Sequence, residues 1–238
     1  MAGITGNIYA GLHEFNDMGF LLHFLRPEDT FYDVGANVGS YTLLASSVCK
    51  AQTISFEPVP VTFNILKKNI GLNQIEHLVT LENKGVGRNN GVLKFSSDDD
   101  TTNHVIAENE NADNFINVNV VSLDEYAVAT TPTLIKIDVE GFETEVVNGA
   151  TNLLNNPNLK AIIIELIGCG FRYGYDENEI HKKLTSLSYK PYKYNPFDRN
   201  LTEISELGNV NTIYVRDLNF VENRVKNATP FKIFNQEI

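Results

Sequence analysis

The sequence is poor in the residues that staple small secreted folds or anchor a chain in lipid. It holds two cysteines, Cys49 and Cys169. Both lie in apolar stretches, where a free thiol behaves as a small buried hydrophobe, and their spacing suggests neither a disulfide framework nor a zinc site. Tryptophan is absent, and no apolar run approaches the roughly 20 residues of a membrane span. The opening MAGITGNIYAGLHEF lacks the charged-then-apolar layout of a secretion signal. Basic residues are also scarce: 19 Lys and Arg face 30 Asp and Glu, a formal net charge of −11. Such a field repels phosphate backbones and anionic lipid, so nucleic acid and membrane surfaces are not the expected partners. These absences together predict a soluble, cytoplasmic protein, and they make the sequons at Asn200 and Asn227 ordinary surface asparagines. The oligomeric state stays open.

What is present is an alternation of two periodicities. Residues 30–34 and 52–56 (QTISF) are short β-prone runs, each followed by a helix-like segment; in the second, Phe63, Leu66 and Ile70 recur at three and four. A third strand follows at 78–83. GVLKFSS and NVNVVSL then alternate apolar and polar residues, as a strand pair would, around the acidic stretch 98–114, an insertion placed to cover a site. The βα rhythm returns with TLIKIDV, a helical face made of Val146, Val147, Ala150, Leu153 and Leu154, and AIIIEL, whose unbroken apolar run fits a strand buried on both faces. Ile180, Leu184 and Leu187 mark the next helix. KPYKYNP and NTIYVRD read as an antiparallel pair closing the sheet. With no repeat, linker or break in composition, one domain is expected. Residues 1–29 form an N-terminal helical extension with Phe20, Leu21, Phe24 and Leu25 as its apolar face. Residues 30–166 form a cofactor-binding core, and 167–238 the closing strands and acceptor-side loops.

In an open parallel sheet, ligands bind beyond the carboxyl ends of the strands. Asp33, Glu57, Asp138 and Glu165 each fall at or near such an end, although a strand-end acid can also cap the next helix. The stretch TFYDVGANVGSY, residues 30–41, sets Gly35 and Gly39 where the backbone must turn and a ligand can come close. Its loop reads GANVG, not GxGxxG: Asn37 stands where the second glycine of a dinucleotide fingerprint belongs, with one residue fewer to the last. Glu57 lies at the end of the second strand, where an acid can accept two hydrogen bonds from ribose hydroxyls, a role that serves NAD and S-adenosylmethionine alike. The glycine spacing and Asp33 tilt the choice to S-adenosylmethionine, because a cofactor without a pyrophosphate needs no phosphate cradle.

DVGANVGSYT, SFEPVPVTFNILKKNI, VVSLDEY, LIKIDVEGFETEVVNGA and IIIEL together resemble the successive motifs of the FkbM-type family of S-adenosylmethionine-dependent methyltransferases. The resemblance covers residues 30–166 and extends weakly toward the C-terminus. It implies an α/β class I methyltransferase fold, Rossmann-like, with a seven-stranded mostly parallel sheet, a C-terminal antiparallel strand pair and flanking helices. By position it implies that Asp33, Gly35, Asn37 and Gly39 line the methionine end of the cofactor, that Glu57 holds the ribose, and that residues 82–87 (ENKGVG) lie near the adenine.

Methyl transfer from a sulfonium is an in-line displacement, so the protein chiefly positions the acceptor and removes its proton. Candidates for that base are Asp138, Glu140, Glu143 and His104. Asp138 ends the fourth strand, Glu140 follows in a turn relaxed by Gly141, and Glu143 opens the next helix, where an acid complements the helix dipole. His104, in TTNHV, sits in the covering loop; such a histidine is ordinarily solvated surface, but its pKa suits proton transfer. Asp138 and Glu165 could give two ligands to a divalent ion, yet there is no dense ligand run and the resemblance demands none, so no metal is expected. Arg172, Tyr173, Tyr175, Tyr192, Tyr194 and Arg199 either shape an acceptor pocket or pack on the sheet. The expected activity is O-methylation of a glycan or small polar metabolite. A catalytically silent binding domain is the alternative, and a nicotinamide-dependent oxidoreductase a more distant one.

Overall fold

The computed structural model of the chain describes residues 11–96, 103–107, 114–126, 130–205 and 210–238. In chain order its strands are β1 (Thr30–Val34), β2 (Gln52–Phe56), β3 (Val79–Glu82), β4 (Gly85–Val86), β5 (Gly91–Ser96), β6 (Phe115–Val121), β7 (Leu134–Ile137), β8 (Ala161–Leu166), β9 (Lys190–Asn195), β10 (Asn200–Glu203) and β11 (Val210–Val215). The main helices are α1 (Phe15–Phe24), α2 (Ser40–Leu43), α3 (Pro60–Leu72), α4 (Leu123–Tyr126), α5 (Glu143–Asn148), α6 (Thr151–Asn155), α7 (Glu177–Ser186) and α8 (Leu218–Lys226).

The central sheet has the order β10-β9-β11-β8-β7-β1-β2-β3. β1 runs parallel to β2 on one side and β7 on the other, β3 continues from β2, and β8 from β7. β11 enters antiparallel between β8 and β9. The connection order therefore reverses between β1 and β7, and their carboxyl ends part to leave a crevice there. β7 and β8 are buried on both faces, as their apolar runs predict.

One face of the sheet carries α1, α2 and α8, the other α5, α6 and α7. In α1 every residue from Met18 to Phe24 is buried. At roughly 1.5–3 kcal/mol for each large apolar side chain removed from water, the helix is part of the core. Even its His23 is enclosed, with Nδ1 2.7 Å from the Tyr194 hydroxyl. Among the described residues no helix is long and apolar enough to cross a membrane.

The structure departs from the expected fold in four places. The sheet has an eighth strand: after a turn in which Asn195 accepts from the Phe197 N–H, β10 pairs back on β9, and only Leu201 of it is buried, too little pattern to read. The C-terminal part also contains α8, capped by Asp217, which accepts from the Phe220 N–H at 3.2 Å, with Val221 and Val225 inward. The helix expected across Val146–Leu154 breaks in two at Gly149, whose Cα faces the backbone of Gly87 and Arg88 so closely that no side chain fits. Asp124 of α4 restarts it as α6 by accepting from the N–H groups of Asn152 and Leu153, both at 2.9 Å. Finally, the hairpin β5–β6 forms its own small sheet with β4, in the order β4-β6-β5, and most of the acidic stretch 98–114 lies outside the described residues.

Candidate functional site

The loop after β1 is shaped by close approach. Gly35 has φ +82°, and a Cβ there would drive into the carbonyl oxygen of Asp138. A glycine is thus the residue that lets the ends of β1 and β7 come together. Gly39 has φ +95° as the N-cap of α2, and a Cβ would stand 2.5 Å from Leu66 Cδ1. Asn37 between them has φ +50°, a left-handed conformation that asparagine tolerates. Its N–H donates to Glu57 Oε2 at 3.0 Å, while Glu57 Oε1 accepts from the Val59 N–H at 2.9 Å. Glu57 therefore ties the loop to the end of β2. Burial pushes its pKa up to about 7, against the pull of those two N–H groups.

Asp33 is placed differently. It is 1% exposed, with Oδ2 accepting from both the N–H and the hydroxyl of Thr42 at 3.0 and 2.6 Å. Strand alternation turns it to the α1 side of the sheet, where it lies in register with Lys136 of β7. Burial raises its pKa, and Lys136 and Thr42 oppose that rise. Neither Asp33 nor Gly39 lines the pocket described below; they hold the loop from behind.

Lys136 is a site residue that sequence reasoning missed. It is 3% exposed, with Nζ 2.5 Å from Asp138 Oδ2 and 4.7 Å from the centre of the Tyr41 ring. Burial works against its charge, but Asp138, Glu14 and Asp33 more than offset that and hold the ammonium above its ordinary pKa. Tyr41 in turn donates to Glu14 Oε2, which brings the start of α1 into the network. The readable sign was a lone lysine inside the apolar run LIKI, because a buried cation requires partners.

The turn after β7 is braced from below. Glu143 Oε1 accepts from the N–H groups of Val139 and Gly141 at 3.0 and 3.2 Å; the residue is 2% exposed, and burial raises its pKa to about 7. Glu143 is thus a structural clamp. Glu140, held at φ +56°, is a non-glycine residue in a sparsely populated backbone region. Burial and then Asp138 raise its pKa, with Arg172 and His104 opposing.

Gly35, Asn37, Glu57, Asp138 and Glu140 line one pocket, with about 670 Å³ of empty space counting its open mouth. Phe56, Val86, Phe95, Val105 and Phe142 supply apolar walls, and Lys84 and Gly85 border it from the segment expected near an adenine. His104 is buried beside this wall, its N–H donating to Ser96 Oγ at 3.1 Å; its neighbours Asn103 and Val105 face the pocket. Tyr173 donates to the Val105 carbonyl at 2.6 Å and so pins the same segment.

Asp138, Glu140 and Glu165 each offer an oxygen within 4.8 Å of the others. Three such carboxylates could hold a divalent ion, though the Lys136 ammonium already neutralises Asp138. Burial first, then Asp138 and Glu140, push the Glu165 pKa up to about 8. Of the later residues, Arg199 is spent on the carbonyls of Ala228 and Ile238, at 2.6 and 3.2 Å, and Tyr194 on His23; Arg172 is exposed.

The profile of the methyltransferase FkbM domain matches residues 33–191. The chain is 29% identical over 177 residues to hexuronic acid methyltransferase AglP of Haloferax volcanii, covering 69% of this chain and 65% of that protein. It is 29% identical over 149 residues to methyltransferase 1 of Beauveria bassiana, covering 52% and 59%. The alignments thus span less than two thirds of these curated relatives. Among solved structures, methyltransferase FkbM from Methylobacillus flagellatus superposes with a TM-score of 0.54 at 17% identity, over 80% of this chain and 44% of that one, a likeness of fold. The chain belongs to the methyltransferase FkbM domain family.

Proposed function

We propose that the chain is an S-adenosylmethionine-dependent methyltransferase that methylates an oxygen of a glycan or small polar metabolite. The observation that carries this reading is one pocket lined at once by the GANVG loop, by Glu57 and by the acids of the IDVEG turn. The residues fit the donor: a glycine where a side chain would fill the crevice, an acid at the end of β2 for ribose hydroxyls, apolar walls for a purine, and no cradle for a pyrophosphate. The name of the archaeal relative, a hexuronic acid methyltransferase, favours a sugar acceptor.

S-adenosylmethionine supplies an activated methyl group on a sulfonium. Glu57 would accept from the ribose hydroxyls through lone pairs not used by Asn37 and Val59. Asp138, paired with Lys136 through Oδ2, would orient the acceptor hydroxyl through Oδ1, and a Glu140 carboxylate oxygen would take the proton as the O–C bond forms. Glu140 suits that step because burial raises its pKa toward that of a working general base. His104 stands beside Glu140 as a neighbouring proton site. The reading treats the whole chain as one unit, with α1 and the closing strands completing the core, and places it in the cytoplasm, where the donor is made.

Calorimetric titration with S-adenosylhomocysteine, with NADH in parallel, tests the reading. Binding of S-adenosylhomocysteine alone is expected. Binding of NADH alone would overturn it, and binding of neither would favour a silent fold.

A further inference from the structure

Past Glu165 the sheet rim opens into a second cleft, with about 1030 Å³ of empty space counted in the same way. Glu165 belongs to both regions: it borders this cleft, and its carboxylate lies within 4.8 Å of Asp138 and Glu140 at the first pocket. A molecule seated in the cleft therefore adjoins the acids of the first pocket. Its remaining walls come almost wholly from outside the region that defines the family, residues 33–191. Glu14 and Asp17 stand at the start of α1, Tyr192 and Lys193 on β9, and Asn211 on β11.

The chemistry of these walls is one-sided. Glu14, Asp17 and Glu165 face the cleft, against one exposed cation, Lys193. Asn211 Oδ1 is buried and meets no donor among the described residues. Burial, and then Glu14, push Asp17 up to about 7, so the acids already crowd one another. The lining sets three carboxylates against one ammonium, so the charge of the cleft is negative. Tyr192 and the ring of Phe15 add flat apolar surface of the kind that packs on the C–H face of a sugar.

We propose that this cleft is the acceptor subsite, and that it takes a polyhydroxylated group of neutral or positive charge while rejecting one that carries a carboxylate. The inference rests on the methyltransferase reading for the identity of the site. It sets this chain apart from a relative named for hexuronic acid, through residues that the family match does not include.

The test is amide-resolved NMR of the full chain saturated with S-adenosylhomocysteine, titrated with the methyl glycosides of glucosamine, glucose and glucuronic acid in mildly alkaline buffer. The glucosaminide and glucoside should shift the amides of Asn16, Asp17, Lys193 and Asn211. The glucuronide should bind about tenfold more weakly or worse, as a like charge set against carboxylates does. Asp17→Asn should narrow that gap. Equal or tighter binding of the glucuronide overturns the proposal, as does an absence of shifts in the cleft with all three sugars. Shifts of Gly35, Asn37 and Val86 on adding S-adenosylhomocysteine report the cofactor separately, so failure of the donor site is distinguishable from failure of the cleft.

Discussion

Lys136 Nζ lies 2.5 Å from Asp138 Oδ2 at the carboxyl end of β7, and the same ammonium sits beside the buried Asp33 of β1. One cation thus serves two carboxylates, one behind the GANVG loop and one facing the pocket. Lys136→Met removes it and leaves Asp33 enclosed without a counter-charge. Breaking a buried pair in this way costs on the order of 3–5 kcal/mol, a fall in Tm on the order of 10 °C for a chain of this size. Asp33→Asn added to Lys136→Met should restore part of that loss. Thermal unfolding checks it, and a single variant melting within a degree or two of the parent would show that the pair supports nothing.

If Glu57 holds the ribose as proposed, donor binding should depend on pH with a definite sign. Its pKa is about 7, and the ionised form is the better acceptor for ribose hydroxyls. Affinity for S-adenosylhomocysteine should therefore rise as the pH passes upward through about 7. Glu57→Gln should weaken binding by about 1.5–3 kcal/mol, the range for hydrogen bonds to a charged group, and flatten the profile. Calorimetry across that pH range decides it; a parent profile as flat as that of the variant would remove Glu57 from the role.

The stability of the ligand-free chain should run the other way. Glu57 and Glu143 hold their protons to about 7 in the folded chain, against 4.5 for an ordinary glutamate. Between these values the native state binds more protons than the unfolded one, so stability is fully present below about 4.5 and falls as the pH rises to about 7. Asp17 and Glu165, raised to about 7 and about 8, add to that decline, while His23, lowered to about 4, opposes it up to about 6.5, so the readout is the slope above that point: Tm should decline from about pH 6.5 to about pH 8. Glu143→Gln, which keeps one acceptor oxygen for Val139 and Gly141, should make the decline shallower. A Tm that climbs over this interval would contradict it.

Much of this architecture could be read from the chain because its central strands are buried on both faces. Runs such as AIIIEL, bounded by an acid, admit few other readings, and the spacing of Leu66 and Ile70 or of Ile180 and Leu184 marks helices that bury one stripe. What escaped was set by tertiary contact. β4 is two residues long and exists through its pairing with β6, and the break at Gly149 answers to the distant backbone of Gly87 and Arg88. In the site, Gly35, Asn37, Glu57, Asp138 and Glu140 meet in one pocket. Asp33 does not, and strand parity explains why: it shares a face with Phe31, not with Tyr32 and Val34. Glu14 and Asp17 were hidden for another reason, since α1 is so apolar that its first turn was read only as packing.

Asp138 and Glu140 make separable predictions, because only one of them has a fixed partner. Asp138→Asn removes a charge that holds Lys136, and should both lower turnover and reduce Tm. Glu140→Gln removes an acid whose carboxylate makes no hydrogen bond or ion pair among the described residues, so Tm and affinity for S-adenosylhomocysteine should stay near the parent values. Its turnover should fall about 10²–10⁴-fold if the carboxylate takes the acceptor proton, the usual contribution of a general base. The measurement is transfer of labelled methyl to an identified acceptor, with kcat and KM resolved for each variant. A Glu140→Gln enzyme with undiminished kcat would move the proton-accepting role to Asp138 or His104. A loss confined to KM would make Glu140 a binding group on the rim, since uniform binding changes KM and leaves kcat alone.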